Sequence, residues 1–228
     1  MTLLLNFPLF LINLKCYEEA LGEGAIKIAL SAKKVSHEYG IDIAISPVHT
    51  DLASISRYGI KTFAQAADPV DPGSHTGHVP LEAIKIAGAI GVIINHSEKK
   101  LSIDAISFLL NKCRKLNLIS LVCGASVEEC VKIASLKPDI IAIEPPELIG
   151  TGRSVSKYRP ESVYRTVKEV KSIDKSIKVL CGAGITDGDD VKEALRLGAE
   201  GILVASSIVK AKDQEMKIRE LAMSMRRS

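Results

Sequence analysis

Tryptophan is absent from this chain, and aromatic residues of every kind make up only 4% of its 228 positions. Stacking platforms for nucleic-acid bases are therefore scarce, which argues against a protein that binds RNA or DNA. Charge of one sign is not concentrated either: 30 basic and 27 acidic residues leave a net charge of +3, with the lysines spread along the chain. The five cysteines, Cys16, Cys113, Cys123, Cys130 and Cys181, form no Cys-x-x-Cys pair and are odd in number. A reducing compartment suits that pattern better than a disulfide scaffold. No apolar run is long enough to span a bilayer. The greasy start, residues 1–14, lacks a basic leader and is broken by Asn6 and Pro8, so it reads as a first strand rather than a signal peptide. A cytoplasmic protein with no membrane or nucleic-acid partner is the expectation.

What is present is a recurring unit rather than a recurring sequence. Short runs rich in Val, Ile and Leu occupy residues 8–14, 41–46, 61–65, 91–95, 118–123, 139–144, 178–182 and 201–205. Helical spacing marks residues 24–38, 81–87, 103–116, 127–134, 160–172, 189–197 and about 214–225, between the runs and after the last. The runs are nearly all apolar instead of alternating, as expected of strands covered on both faces in a parallel sheet. Gly40, Gly59 and Gly198 follow helical stretches and are placed to take the left-handed cap conformation. The reading is an α/β protein built as one eight-fold (β/α)8 barrel domain over residues 1–228. An open doubly wound sheet is the rival. Such sheets usually have fewer strands, and a Rossmann form would need a Gly-rich turn after an early strand; none is there.

Polar residues gather where the runs end, which in a closed barrel is the face that carries the active site. The first run closes on Asn13-Leu14-Lys15. With side chains alternating along a strand, Asn13 and Lys15 share the side of Leu11; the bland alternative is a strand that has simply reached solvent. The fourth closes on Asn95-His96-Ser97-Glu98, with His96 one step past the strand and, by expectation, at a helix N-terminus whose positive end would keep the imidazole neutral. The sixth closes on Glu144, followed by Pro145, Pro146, Glu147, Leu148, Ile149, Gly150, Thr151 and Gly152. That segment is stiff at its proline end and permissive at its glycine end, as a lid moving as one body would be. Its bland counterpart is a surface turn. Ala142 lies under Glu144 on the same face and leaves room for a ligand. Runs seven and eight end in Gly182-Ala183-Gly184 and Ala205-Ser206-Ser207, whose small side chains let backbone N–H groups approach an anion. The loop 66–79 carries Asp68, Asp71, His75 and His78, but its His-x-x-His lacks the i, i+4 spacing of a helical zinc pair, so no metal is expected. Cys16, next to Lys15, has no histidine partner and is read as a bystander.

Taken together, Asn-x-Lys, Asn-His-Ser-Glu and Glu-Pro…Ile-Gly-Thr-Gly in this order resemble triosephosphate isomerases over essentially the whole chain. Residues 68–78 and 180–185 are similar to stretches of the shorter archaeal branch. The resemblance implies interconversion of dihydroxyacetone phosphate and D-glyceraldehyde 3-phosphate through an enediolate, with Glu144 as base, His96 as electrophile and Lys15 offsetting negative charge. It further implies substrate binding by Asn13, Leu14 and Lys15, support of Lys15 by Glu98, and phosphate contacts from Ile149, Gly150, Gly184, Ala205 and Ser206. No cofactor is implied. A homo-oligomer, dimer or tetramer, is, with the loop around Thr76 and Gly77 at a subunit contact. The chain departs from many relatives in having Pro146-Glu147-Leu148 in the lid and Gly184 in place of a serine. Two rival functions fit the same fold: another phosphosugar barrel enzyme, such as an aldolase using Lys15 as a Schiff-base nucleophile, or a non-catalytic barrel that binds a phosphorylated metabolite.

Overall fold

In the computed structural model, which describes residues 5–145 and 154–226, every one of the eight apolar runs contains a strand. These are β1 (Leu9–Asn13), β2 (Ile43–Ser46), β3 (Phe63–Ala64), β4 (Gly91–Ile94), β5 (Ile119–Gly124), β6 (Ile140–Ile143), β7 (Lys178–Cys181) and β8 (Gly201–Val204). They pair in parallel in the order β2-β1-β8-β7-β6-β5-β4-β3. The two ends of that order meet: Ile45 bridges Thr62, and its N–H donates to the Lys61 carbonyl at 2.9 Å. The sheet is thereby rolled into a nearly closed barrel.

Helices return the chain from each strand to the next. They are α1 (Glu23–Tyr39), α2 (His49–Ser56), α3 (Leu81–Ile86), α4 (Ile103–Leu116), α5 (Val127–Ala134), α6 (Val155–Tyr158), α7 (Pro160–Ile173), α8 (Gly188–Arg196), α9 (Ser206–Val209) and α10 (Gln214–Met223). The seven longer periodic stretches match within two residues at each end. Three helices lie outside the expected stretches: the eight-residue α2, and the short α6 and α9, whose four residues give no periodicity to read. Local chemistry sets several boundaries. Ser102 and Ser126 accept N–H groups at the starts of α4 and α5, and Asp187 forms a reciprocal capping box with Asp190 on α8. Gly40 ends α1 in the left-handed conformation, as Asn117 ends α4.

The strands are buried on both faces, and two apolar layers result. Leu9, Leu11, Phe63, Ile93, Leu121 and Leu180 fill the barrel interior. Phe10, Ile12, Ile43, Val92 and Val179, one step along the same strands, pack outward against the helices. Each fully buried side chain of this size contributes roughly 1.5–3 kcal/mol relative to exposure. No described helix is long and apolar enough to cross a membrane.

Candidate active site

Asn13, Lys15, His96, Glu144, Gly184, Ala205 and Ser206 line one cleft of about 400 Å³ at the C-terminal mouth of the barrel. That volume is ordinary for a small-molecule site. Each residue arrives there by the end of its strand. Asn13 is the last residue of β1 and continues the inward column of Leu9 and Leu11. Lys15 does not arrive by strand alternation. The strand has ended, and Lys15 sits at φ 49°, in the left-handed region that costs a side-chain-bearing residue energy. Its backbone is tied at both ends: the N–H donates to Asn13 Oδ1 at 3.0 Å, and the carbonyl accepts from Gln65 Nε2 at 2.9 Å. Gln65 also donates to the Ser46 carbonyl at 3.1 Å, so it joins the ends of β1, β2 and β3. Its signal was available in the sequence, since it is the polar end of the third apolar run.

Leu14 points the other way. It is fully buried in the layer between barrel and helices, so its side chain cannot face the cleft and only its backbone could meet a ligand there. Strand alternation puts it on the opposite face from Asn13, which leaves the substrate contact expected of Leu14 to its backbone. Glu98 holds Lys15 Nζ at 2.8 Å and lines an adjoining cleft of about 440 Å³ that shares Lys15 and His96. Ile149 and Gly150, with most of the expected lid, lie outside the described residues.

His96 Nε2 and Glu144 Oε2 stand 3.7 Å apart, both nearly buried. The Glu98 N–H donates to His96 Nδ1 at 3.2 Å, which assigns the ring proton to Nε2, on the cleft side. His96 is not at a helix N-terminus. It lies in a turn, and α4 begins only at Ile103. Its titration is lowered by burial first and by the Lys15 charge second, so the neutral ring has a different cause from the one expected. Burial likewise pushes the Glu144 carboxyl up to about 7, with the Cys123 thiol and Lys15 pulling the other way. Such a carboxylate can take a proton near neutral pH, and the facing neutral imidazole can give one.

The glycines of the mouth have distinct uses. A Cβ at Gly182 would stand 2.5 Å from Glu144 Cγ, so the bare backbone leaves the carboxylate its space. Gly184, at φ 70°, turns the chain after β7, and Ser206 opens the short α9 after β8. In the loop 66–79 the acidic groups are already paired, Asp68 with Lys99 at 3.2 Å and Asp71 with Lys112 at 2.7 Å. Among the described residues no group of three or more potential ligands could hold a metal ion. Cys16 is exposed beside the second cleft.

Residues 8–222 match the family model described as triosephosphate isomerase. A triosephosphate isomerase of Caldivirga maquilingensis is 51% identical over 96% of this chain and 97% of the relative. One from Methanocaldococcus jannaschii is also 51% identical, over 93% and 98% of the two chains, and one from Methanothermus fervidus is 47% identical over 96% and 99%. The strand ends that supply a carboxyl, an imidazole and an ammonium to one cleft thus belong to a chain whose relatives match nearly end to end, and it is a member of the triosephosphate isomerase family.

Proposed function

We propose that this chain interconverts dihydroxyacetone phosphate and D-glyceraldehyde 3-phosphate, a step of glycolysis and gluconeogenesis, in the cytoplasm. The observation that carries the reading is the buried Glu144 carboxyl 3.7 Å from a neutral His96 ring, in a cleft shared with Lys15. Glu144 removes a proton from the carbon next to the carbonyl, while His96 Nε2 donates to the carbonyl oxygen. The ring then exchanges protons between the two oxygens of the enediolate. Glu144 returns its proton to the neighbouring carbon, which leaves the atom count unchanged. Lys15, held by Glu98, offsets the negative charge that develops on the oxygens, and Asn13 orients the substrate. Gly184, Ala205 and Ser206, with Ile149 and Gly150, hold the phosphate. Every step is a proton transfer, so neither a redox group nor a metal is required by the chemistry.

The exposed stretch 71–78, which contains Thr76 and Gly77, is the contact surface for a second copy of the chain, in a dimer or tetramer. The test of the activity is a coupled assay of triose phosphate interconversion. Wild type is active, and Glu144→Gln loses about 10²- to 10⁴-fold in turnover while still binding inorganic phosphate in competition with substrate. Near-wild-type turnover in that variant would remove Glu144 from its role.

A further inference from the structure

Behind the His96–Glu144 pair lies a carboxylate that the proton transfers do not use. Glu129 is the third residue of α5, and its N–H donates to the capping Ser126 hydroxyl at 3.2 Å. A glutamate there commonly reaches back to its own cap residue. This one reaches further, and in three directions. Oε2 accepts the Ala125 N–H at 2.7 Å, Oε1 accepts Asn95 Nδ2 at 2.9 Å, and Lys100 Nζ approaches the two oxygens at 2.8 and 3.1 Å. Burial alone would raise this carboxyl, but Lys100, the Ala125 N–H and the Asn95 amide together hold it below its usual range.

Asn95 links that carboxylate to the cleft. It is 2% exposed and sits at φ 61°, where asparagine is among the few tolerated side chains. Its amide is fully used: Oδ1 accepts the Leu101 N–H at 2.9 Å, and Nδ2 donates to the Cys123 carbonyl at 2.9 Å as well as to Glu129. Glu129 and the Cys123 carbonyl can only accept, so together they hold the NH2 side of the amide and leave Oδ1 for Leu101. The residue after Asn95 is His96. Cys123, whose carbonyl is held, lays its thiol against Glu144. One carboxylate therefore ties the end of β4 to the end of β5, beneath both partners of the pair.

We infer that Glu129, acting through Asn95, is a positioning residue that fixes the His96 ring against the Glu144 carboxylate. The inference rests on the acid–base reading of that pair. A helix cap and a surface ion pair alone would need no reach to Asn95, and Asn95 alone keeps the turn 95–101 closed but not aimed. Freed from Glu129, Asn95 keeps its bonds to Leu101 and to the Cys123 carbonyl, and the turn loses one of its two ties toward the end of β5.

The experiment is a double-mutant cycle in the coupled isomerase assay. A misplacement of a reacting group by about 1 Å can cost 10²-fold, so the partial loosening in Glu129→Ala is expected to lower kcat about tenfold with KM nearly unchanged. In a His96→Gln background the same substitution should cost less than about twofold more, because the group being positioned is already gone. Equal fold losses in both backgrounds would overturn the inference, since a merely structural role acts on either alike; so would an unchanged kcat in Glu129→Ala. If that variant does not melt cooperatively, Glu129→Asp, which keeps the charge at the helix start but falls one methylene short of Asn95, is read against the same two outcomes. Undiminished turnover in His96→Gln alone would instead bring down the acid–base reading, and the inference with it.

Discussion

The two ends of the barrel obey opposite rules. At the N-terminal end the interior is hydrocarbon: Leu9, Phe63 and Ile119 are buried, and Phe63 lies so close to Gly91 that a Cβ there would stand 2.4 Å from its ring. At the C-terminal end of the same barrel, β1, β4 and β6 deliver an amide, an imidazole and a carboxyl into nearly the same depth of burial. Ser46 Oγ and Glu144 Oε2 are buried there without a hydrogen-bond partner among the described residues. Buried polar atoms without partners cost stability, and hydrocarbon contacts provide it. One end holds the fold and the other spends part of that stability on reactivity.

The sharpest way to break this contrast is to damage the hydrocarbon end alone. Phe63→Ala removes a ring from a packed interior and should destabilise the chain by about 3–5 kcal/mol. Chemical denaturation measures the loss. At temperatures where the variant is folded, its KM and kcat should equal those of wild type. A large change in KM would mean that the two ends are not separable.

The hydrocarbon end was also the more legible in the sequence. Runs such as 91–95 and 118–123 announce strands covered on both faces, because burial on two sides demands apolar residues at every position. The mouth was legible where a strand ends in a polar group, as at Asn13 and Glu144. It was illegible where the backbone leaves the strand. Lys15 reaches the cleft through a left-handed turn, and the His96 turn ends well before α4, so the neutral ring owes its state to burial and to Lys15. Glu129 was equally hidden, because a glutamate in the first turn of a helix is ordinary and nothing in its neighbours tells that it reaches β4.

A substitution at the reactive end should reverse the sign seen at the other. Burial holds Glu144 at about 7 against an ordinary 4.5, so the folded chain prefers the protonated form. Keeping the carboxylate ionised above pH 7 costs on the order of 3 kcal/mol of stability. The cost is absent below the unfolded value and grows as pH rises from 4.5 to about 7. Glu144→Gln, inactive as a base, should therefore melt higher than wild type at pH 8, and the gap should close as pH falls to 4.5. Melting curves across that range check it; a gap independent of pH would show that ionisation is not its source. In wild type, kcat/KM should fall about tenfold per unit below pH 7, as the base becomes protonated.

The smallest effect is the most local. Gly182 has no left-handed backbone to protect, so Gly182→Ala introduces no strain of its own. Its new methyl would meet Glu144 Cγ at 2.5 Å and Oε1 at 3.0 Å, and the side chain must give way. The carboxylate is walled by Cys123 and faces His96, so any displacement changes the spacing on which proton transfer depends. Turnover should fall about tenfold, with the competitive affinity for inorganic phosphate retained because the backbone of Gly184 and Ser206 is untouched. If turnover and phosphate affinity fell together, the turn after β7 would have moved as a whole. The bare backbone at Gly182 would then serve the anion and not the base.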